Sequence, residues 1–104
     1  MDIDMLFPDQ NRHVRHLLGL YIKRKRNDLG VSIQDTASNM SLDSQAYRRI
    51  EAGRSKITPE QFQHMHHLLA LEPNELIEIR KIAGVKYIND LSRVLSPNYP
   101  NEEQ

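Results

Sequence analysis

Residues 30–54 hold the side chains whose types and spacing best suit a defined chemistry. The stretch reads as two short helices joined by a tight turn at Ser41-Leu42, and the second helix ends in a Gly-Arg corner. Tyr47 and Ile50 lie three apart and are predicted to be the buried face of the second helix. Its outward positions are then Ser44, Gln45, Arg48 and Arg49. Side chains of these types hydrogen-bond base edges in the DNA major groove, so the pattern predicts double-stranded DNA as a partner.

Each outward side chain suits a particular contact with DNA. Gln45 matches the N6/N7 pair of adenine, and Arg48 or Arg49 matches the O6/N7 pair of guanine. Phosphates are expected at helix N-termini and at the corner after the second helix. These positions are the amide groups of Ile33 and Gln34 and the side chains of Arg54, Ser55 and Lys56. The plainer alternative for the whole surface is a solvated polar helix face.

The charge of the chain is unevenly distributed along its length. The 104 residues contain 14 Lys/Arg and 14 Asp/Glu, a net charge of zero. Residues 12–56, however, hold ten basic residues against four acidic ones, a net charge of +6. Residues 1–11 and 57–104 each carry −3. The basic part coincides with the predicted helix pair, which favours a nucleic-acid partner despite the neutral total.

Capping residues and apolar spacing predict an almost wholly helical chain. The predicted first helix is capped by Asp9 and stops at Gly30, and Thr58-Pro59 is a strong start signal for the fourth. Ser32 caps the second predicted helix and Asp43 caps the third. Pro73 opens the fifth, which ends near Gly84. No strand of useful length is predicted. Residues 1–8 are expected to be an N-terminal arm and residues 9–84 the main domain.

Residues 85–95 form a sixth predicted helix outside that domain. It is amphipathic, with an apolar stripe at Val85, Ile88, Leu91 and Leu95. The stripe either covers the domain or pairs with a second copy of the chain. We favour a homodimer through the fifth helix and this segment, and the N-terminal arm with the first helix is the rival surface. Residues 96–104 have no apolar period and are predicted to be a disordered tail.

Through these residues the chain resembles the Cro/repressor-type, or XRE-like, helix-turn-helix family of bacterial and phage regulators. The resemblance spans about Leu18 to Leu76, a little over half of the chain. Its matching positions are Leu18-Gly19, Ile22, Arg26, Gly30-Val31-Ser32, Ala37, Met40, Leu42, Ile50-Glu51, Gly53 and Glu75-Leu76. The resemblance implies an all-α, five-helix bundle whose third helix lies in the major groove. The amphipathic segment 85–95 is then an extra C-terminal helix.

The resemblance also assigns roles to individual positions. Ser44, Gln45 and Arg49 fall where family members contact base edges, with Arg48 as an addition. Arg26 and Glu51 match positions that resemble a structural ion pair between the first helix and the end of the third; two unrelated surface charges are the alternative. One position departs from the pattern: the family commonly has Gln where this chain has Ile33, so Gln34 substitutes there or the phosphate contact is missing.

Other classes of function find less support in the sequence. His13 with His16, and His64 with His67, have a spacing that suits a metal, but no carboxylate or cysteine completes either set. His66 is expected to be a packed, hydrogen-bonded side chain. No catalytic motif is present, so we expect a non-enzymatic protein without cofactor or metal. The absence of cysteine and of an 18-residue apolar run predicts a cytoplasmic protein that does not enter a membrane.

Together these features predict a cytoplasmic, homodimeric transcriptional regulator, a repressor that binds a palindromic operator. Two other roles stay open. Within the DNA-binding class, the chain is equally compatible with an antitoxin that wraps a toxin partner with its acidic tail, or with an autoregulatory repressor from a mobile element. The alternative from a different class is a protein-interaction adaptor that has lost DNA binding. The exposed basic residues argue against this alternative.

Overall fold

The computed structural model describes the backbone of residues 2–95 and the side chains of residues 2–84. Within that part the chain forms six α-helices and no strand, which confirms the all-helical prediction. Their bounds are α1 Ile3–Leu6, α2 Arg12–Leu29, α3 Ile33–Asn39, α4 Ser44–Glu51, α5 Pro59–Leu69 and α6 Pro73–Leu95. None of the helices described is both long enough and apolar enough to cross a membrane.

Side-chain caps of the same kind set the start of the helices α2 to α5. In each case the capping oxygen accepts a hydrogen bond from the amide three residues later, a group that has no partner inside its own helix. The caps are Asn11, Ser32, Asp43 and Thr58. Thr58 and Gln61 cap each other reciprocally, with Pro59 at the first helical position. The prediction of Asp9 as the cap of the long helix is wrong: that helix begins at Arg12, so the preceding Asn11 caps it.

The long helix α2 is the centre of the bundle and contacts α4, α5 and α6. Leu18 and Ile22 are fully buried on it, against core side chains of the other helices: Tyr47, Phe62, Met65, Leu69 and Leu76. At Gly19 α2 approaches α4 so closely that a Cβ would lie 2.8 Å from the Glu51 carbonyl carbon and 2.9 Å from the Ile50 oxygen. The glycine therefore sets the distance between α2 and α4.

The predicted N-terminal arm is part of the core. Ile3 in α1 is completely buried, and Leu6 and Phe7 are buried beside it, with α1 packed on α5 and α6. Three apolar side chains within five residues have enough area to hold a single helical turn in place. The arm was predicted because a four-residue helix has too short an apolar pattern to be read from sequence.

The predicted helix end near Gly84 is also wrong, because α6 runs without a break from Pro73 to Leu95. Glycine within a helix costs only about 1 kcal/mol, too little to end a helix without a left-handed cap or a following proline. The predicted dimerisation residues Val85, Ile88, Leu91 and Leu95 therefore continue α6, but their side chains lie outside the described residues, as does all of the predicted tail 96–104.

Candidate nucleic-acid interface

Helices α3 and α4 are joined by a tight turn that holds them against the core. Ser41 has a positive φ of 57°, and the Leu42 amide donates back to the Ala37 carbonyl at 2.8 Å. Ala37 and Met40 are buried from the α3 side, and Tyr47 and Ile50 from α4, as predicted from their spacing. Packing on one side leaves the opposite face of α4 open to solvent.

The open face of α4 carries the predicted base-reading residues. Gln45, Arg48 and Arg49 are exposed, and Ser44 at the helix start is half-buried. Among the described residues, no carboxylate pairs with Arg48 or Arg49. Both guanidinium groups are thus available to an outside partner. Their contact with bases stays a prediction.

The predicted phosphate contacts lie at two places beside α4. The Ile33 and Gln34 amides form the first turn of α3, where backbone N–H groups lack helical partners. The Ile33 side chain is partly buried against the core and Gln34 is exposed, so of the two side chains only Gln34 extends freely into solvent. At the corner after α4, Arg54 and Lys56 are exposed and Ser55 is half-buried.

The corner itself is held by three contacts. Gly53 has a φ of 76°, and a Cβ there would lie 3.0 Å from the His16 backbone, so only glycine fits comfortably. Arg15 Nε donates to the Gly53 carbonyl at 3.0 Å. The buried Gln10 amide then brackets Ile57, donating to its carbonyl at 2.7 Å and accepting from its N–H at 2.8 Å.

Arg26 and Glu51 form a bidentate ion pair between α2 and the end of α4. Arg26 Nε donates to Glu51 Oε2 at 2.6 Å and Nη2 to Oε1 at 3.2 Å, and the two side chains are 8% and 7% exposed. A third Arg26 hydrogen bond reaches the Val31 carbonyl, just before α3. The pair thus fixes α4 relative to α2 and to the start of α3. Hydrogen bonding to Glu51 raises the pKa of Arg26 above its ordinary value.

Tyr47 lies next to this ion pair in the core. Its side chain is completely buried, and its hydroxyl has no hydrogen-bond partner among the described residues. Burial, with the neighbouring Glu51 charge, raises the pKa of Tyr47 far above its usual range. The side chain is therefore neutral at any physiological pH and acts as packing beneath α4.

The sequence analysis missed the hydrogen bonds of three structural side chains: Gln10, Arg15 and Tyr21. Tyr21 donates to Glu75 Oε1 at 2.8 Å and accepts from the Glu72 amide at 2.8 Å, which joins α2 to α6. Burial raises the pKa of Tyr21 to about 12, and Glu75 adds to the effect. Because each of these contacts spans a long stretch of sequence, no local pattern pointed to them.

The histidines are dispersed and not gathered into a site. Within the described residues, no group of three or more His, Cys, Asp or Glu side chains is placed to hold a metal ion. His66 packs on Phe62 with ring centroids 6.2 Å apart. Its Nδ1 is buried and has no hydrogen-bond partner in the part of the chain that the structure describes, so at that atom the predicted hydrogen bond is wrong.

Comparisons with known proteins agree with this architecture. The family model described as helix-turn-helix matches residues 22–76, which contain α3, the turn and α4. The crystal structure of the clp gene regulator ClgR from Corynebacterium glutamicum superimposes with a TM-score of 0.59 and 23% sequence identity, over 85% of this chain and 96% of that one. This similarity shows a shared fold. No curated protein matches the chain in sequence.

Proposed function

We infer that the chain, which belongs to the helix-turn-helix family and is a DNA-binding transcriptional regulator, acts as a cytoplasmic repressor that binds a palindromic operator as a homodimer. In this proposal α4 of each subunit enters the major groove, and the two half-sites lie about one helical turn apart. Repression follows from blocking polymerase access to the promoter. No catalytic step is part of the proposal.

The observation that carries the proposal is the unpaired basic face of α4. Gln45, Arg48 and Arg49 are exposed on a helix whose other side is fixed by the core and by the Arg26–Glu51 pair. Bidentate readout requires such rigidity, because a side chain on a mobile helix loses its hydrogen-bond geometry. Exposed arginines on a surface without acidic partners also attract the phosphate backbone.

A groove between α2 and α6, lined by apolar side chains together with the charged Arg24, Glu75 and Glu78, supports the dimer. It has a volume of ≈ 440 Å³, and its rim includes Leu20 and Ile82, which are 51% and 54% exposed. Ile77 on α6 adds a further exposed apolar side chain. Exposed apolar patches of this kind mark protein contacts, and one half-site alone offers too little specificity for a regulator.

The test of DNA recognition is selection of bound sites from a random DNA pool, followed by titration of the selected site at two salt concentrations. An enriched palindrome is expected. Arg49→Gln should abolish the preference, whereas Arg80→Gln, an exposed arginine on α6, should bind like wild type. No enrichment, or binding indifferent to both sequence and Arg49, contradicts the proposal and favours a protein-interaction adaptor.

The dimer is tested separately by light scattering at several protein concentrations. Ile82→Glu should give a monomer, because it replaces an exposed apolar side chain with a third carboxylate in a groove that already holds Glu75 and Glu78. Lys81→Glu, at a neighbouring exposed position outside the groove lining, should leave the dimer intact. A dimer that survives Ile82→Glu contradicts this interface.

The other proposed role within the DNA-binding class is that of an antitoxin. In that case a toxin encoded next to the chain should co-purify with it.

A further inference from the structure

An open basic pocket lies where the start of α2 meets the corner after α4. Its volume is ≈ 780 Å³. Four of its seven lining residues carry basic or imidazole side chains on α2, one is the corner arginine, and none is acidic. They are Arg12, His13, Arg15, His16, Ala52, Gly53 and Arg54. Only Arg54 among them was assigned to DNA by the sequence analysis.

Backbone contact at the corner brings these cations together. Gly53 lies so close to α2 that a Cβ there would be 3.0 Å from the His16 backbone, and the Arg54 amide donates to the Arg49 carbonyl at 2.8 Å. Mutual repulsion would otherwise separate the arginines of α2 from the arginine of the corner. The fold thus holds like charges close to each other on a shared surface.

The cations of the pocket differ in how far their hydrogen-bonding groups are used. Arg15 is partly occupied, since Nε donates to Gly53 and Nη1 to the Gln10 carbonyl at 2.9 Å. Within the described residues, Arg12 and Arg54 have no carboxylate partner. His13 keeps its Nε2 buried without a hydrogen-bond partner. Clustered cations without an internal counter-ion favour an anionic ligand.

We propose that this pocket binds a DNA backbone phosphate that adjoins the phosphate contacted by the corner, so that the first turn of α2 is part of the DNA interface. The inference rests on the proposed DNA-binding function. Arg54 connects the two contacts, because it belongs both to the corner and to the pocket. A guanidinium group donates two parallel hydrogen bonds to a phosphate, and Arg12 has its donors free for that purpose.

The experiment measures the salt dependence of operator binding for Arg12 variants. Each phosphate contact contributes about 0.9 to the slope of log K against log salt. Arg12→Gln should therefore lower the slope by about 1 per subunit, or about 2 per dimer. Arg12→Lys keeps the charge and should keep most of the slope. The matched control is Arg80→Gln, which removes an exposed arginine from α6 and should change nothing.

A scan of the operator with single methylphosphonates locates the contact. The affinity of wild type should fall when a methylphosphonate replaces a phosphate that the protein contacts. For Arg12→Gln, the replacement should no longer lower the affinity at one of those positions in each half-site. The inference is overturned, with the proposed function intact, if wild type binds its operator and Arg12→Gln changes neither slope nor scan. If wild type binds no DNA, both fail.

Melting in inorganic phosphate at constant ionic strength tests whether the ligand of the pocket is a free phosphate anion and not a phosphate of the DNA backbone. If the pocket binds DNA phosphate and not the free anion, millimolar phosphate should raise the melting temperature of wild type no more than it raises that of Arg12→Gln. A rise seen in wild type alone, with operator binding indifferent to Arg12, would assign the pocket to a free anion and overturn the DNA contact.

Discussion

Breaking the Arg26–Glu51 pair tests the idea that α4 is held in place by α2. Arg26→Met removes the cation and leaves the Glu51 carboxylate, 7% exposed, without its only close counter-charge in the described part of the chain. Loss of one partner from a buried pair costs about 3–5 kcal/mol. Since folded domains have about 5–15 kcal/mol in total, this is a large share of the stability.

The loss can be expressed as a melting temperature. A domain of this size shifts by about 4–8 °C for each kcal/mol, so Arg26→Met should melt at least ~12 °C below wild type. Replacing both partners, as in Arg26→Met with Glu51→Leu, removes the uncompensated charge and should recover most of the loss. About 1 kcal/mol should stay lost, because the Val31 carbonyl also accepts from Arg26.

The assay is thermal and urea unfolding followed by circular dichroism at 222 nm, with operator affinity measured well below each melting point. The single variant should also bind operator more weakly, because α4 loses its fixed orientation. A melting temperature for Arg26→Met within about 4 °C of wild type, or a double variant as unstable as the sum of the two singles, would refute the reasoning.

Three further perturbations follow from the contacts described above. Gly19→Ala should lower the urea midpoint, since overpacking against the α4 backbone costs about 1–3 kcal/mol. Gly84→Ala, whose added Cβ meets no atom of the described residues within 4 Å, should match or exceed wild type; equal midpoints for the two variants would contradict the close approach of the helices. Gln10→Ala should speed hydrogen exchange at the Ile57 amide and lower the melting temperature, because each orphaned buried group costs about 1–3 kcal/mol; an unchanged exchange rate would argue against the bracket. Burial raises the pKa of folded Tyr21 to about 12, above the ordinary tyrosine value of 10.0, so its contribution to stability is complete below pH 10 and is lost as pH rises towards 12. Tyr21→Phe should flatten the fall in urea midpoint over that range, and an unaltered slope would count against the raised pKa.

Local signals in the sequence were enough for most helix starts. Ser32, Asp43 and Thr58 each cap a helix as predicted, because a cap and the amide it accepts from lie three residues apart. Glycine was less informative. Gly30 ends α2 with a φ of 70°, but Gly84 sits inside α6, and only the backbone conformation separates the two cases.

Contacts between distant residues were beyond the reach of pattern and spacing. Gln10 and Ile57 are 47 residues apart, and Tyr21 and Glu75 are 54 apart. The ion pair of Arg26 with Glu51 came only from the family resemblance, since nothing in spacing or charge singles out these two residues. The pocket at the start of α2 was missed for the same reason: its members come from two separate stretches.

The positions of the acidic residues explain how a chain of zero net charge presents a basic surface. Glu75 on α6 pairs with Arg24 at 2.7 Å and contacts Lys25 at 3.9 Å, so cations on the α6 side of α2 are neutralised inside the fold. Glu51 does the same for Arg26. Among the side chains described, the basic residues without such a carboxylate are Arg12, Arg15, Lys23, Arg48, Arg49, Arg54, Lys56 and Arg80. All of them except Lys23 and Arg80 lie on α4, at the corner that follows it or at the start of α2.

For DNA binding, the number of cations without a carboxylate partner matters more than the net charge of +6 of residues 12–56, because paired cations release few counter-ions on binding DNA. The salt dependence should therefore follow the number of unpaired cations beside α4 and not the total of basic residues. Removing the internal pair partner Glu75 would free Arg24 and Lys25, which lie where α2 meets α6. Such a change raises the net charge without adding a contact at α4, so it should strengthen non-specific binding and lower the ratio of operator to non-operator affinity.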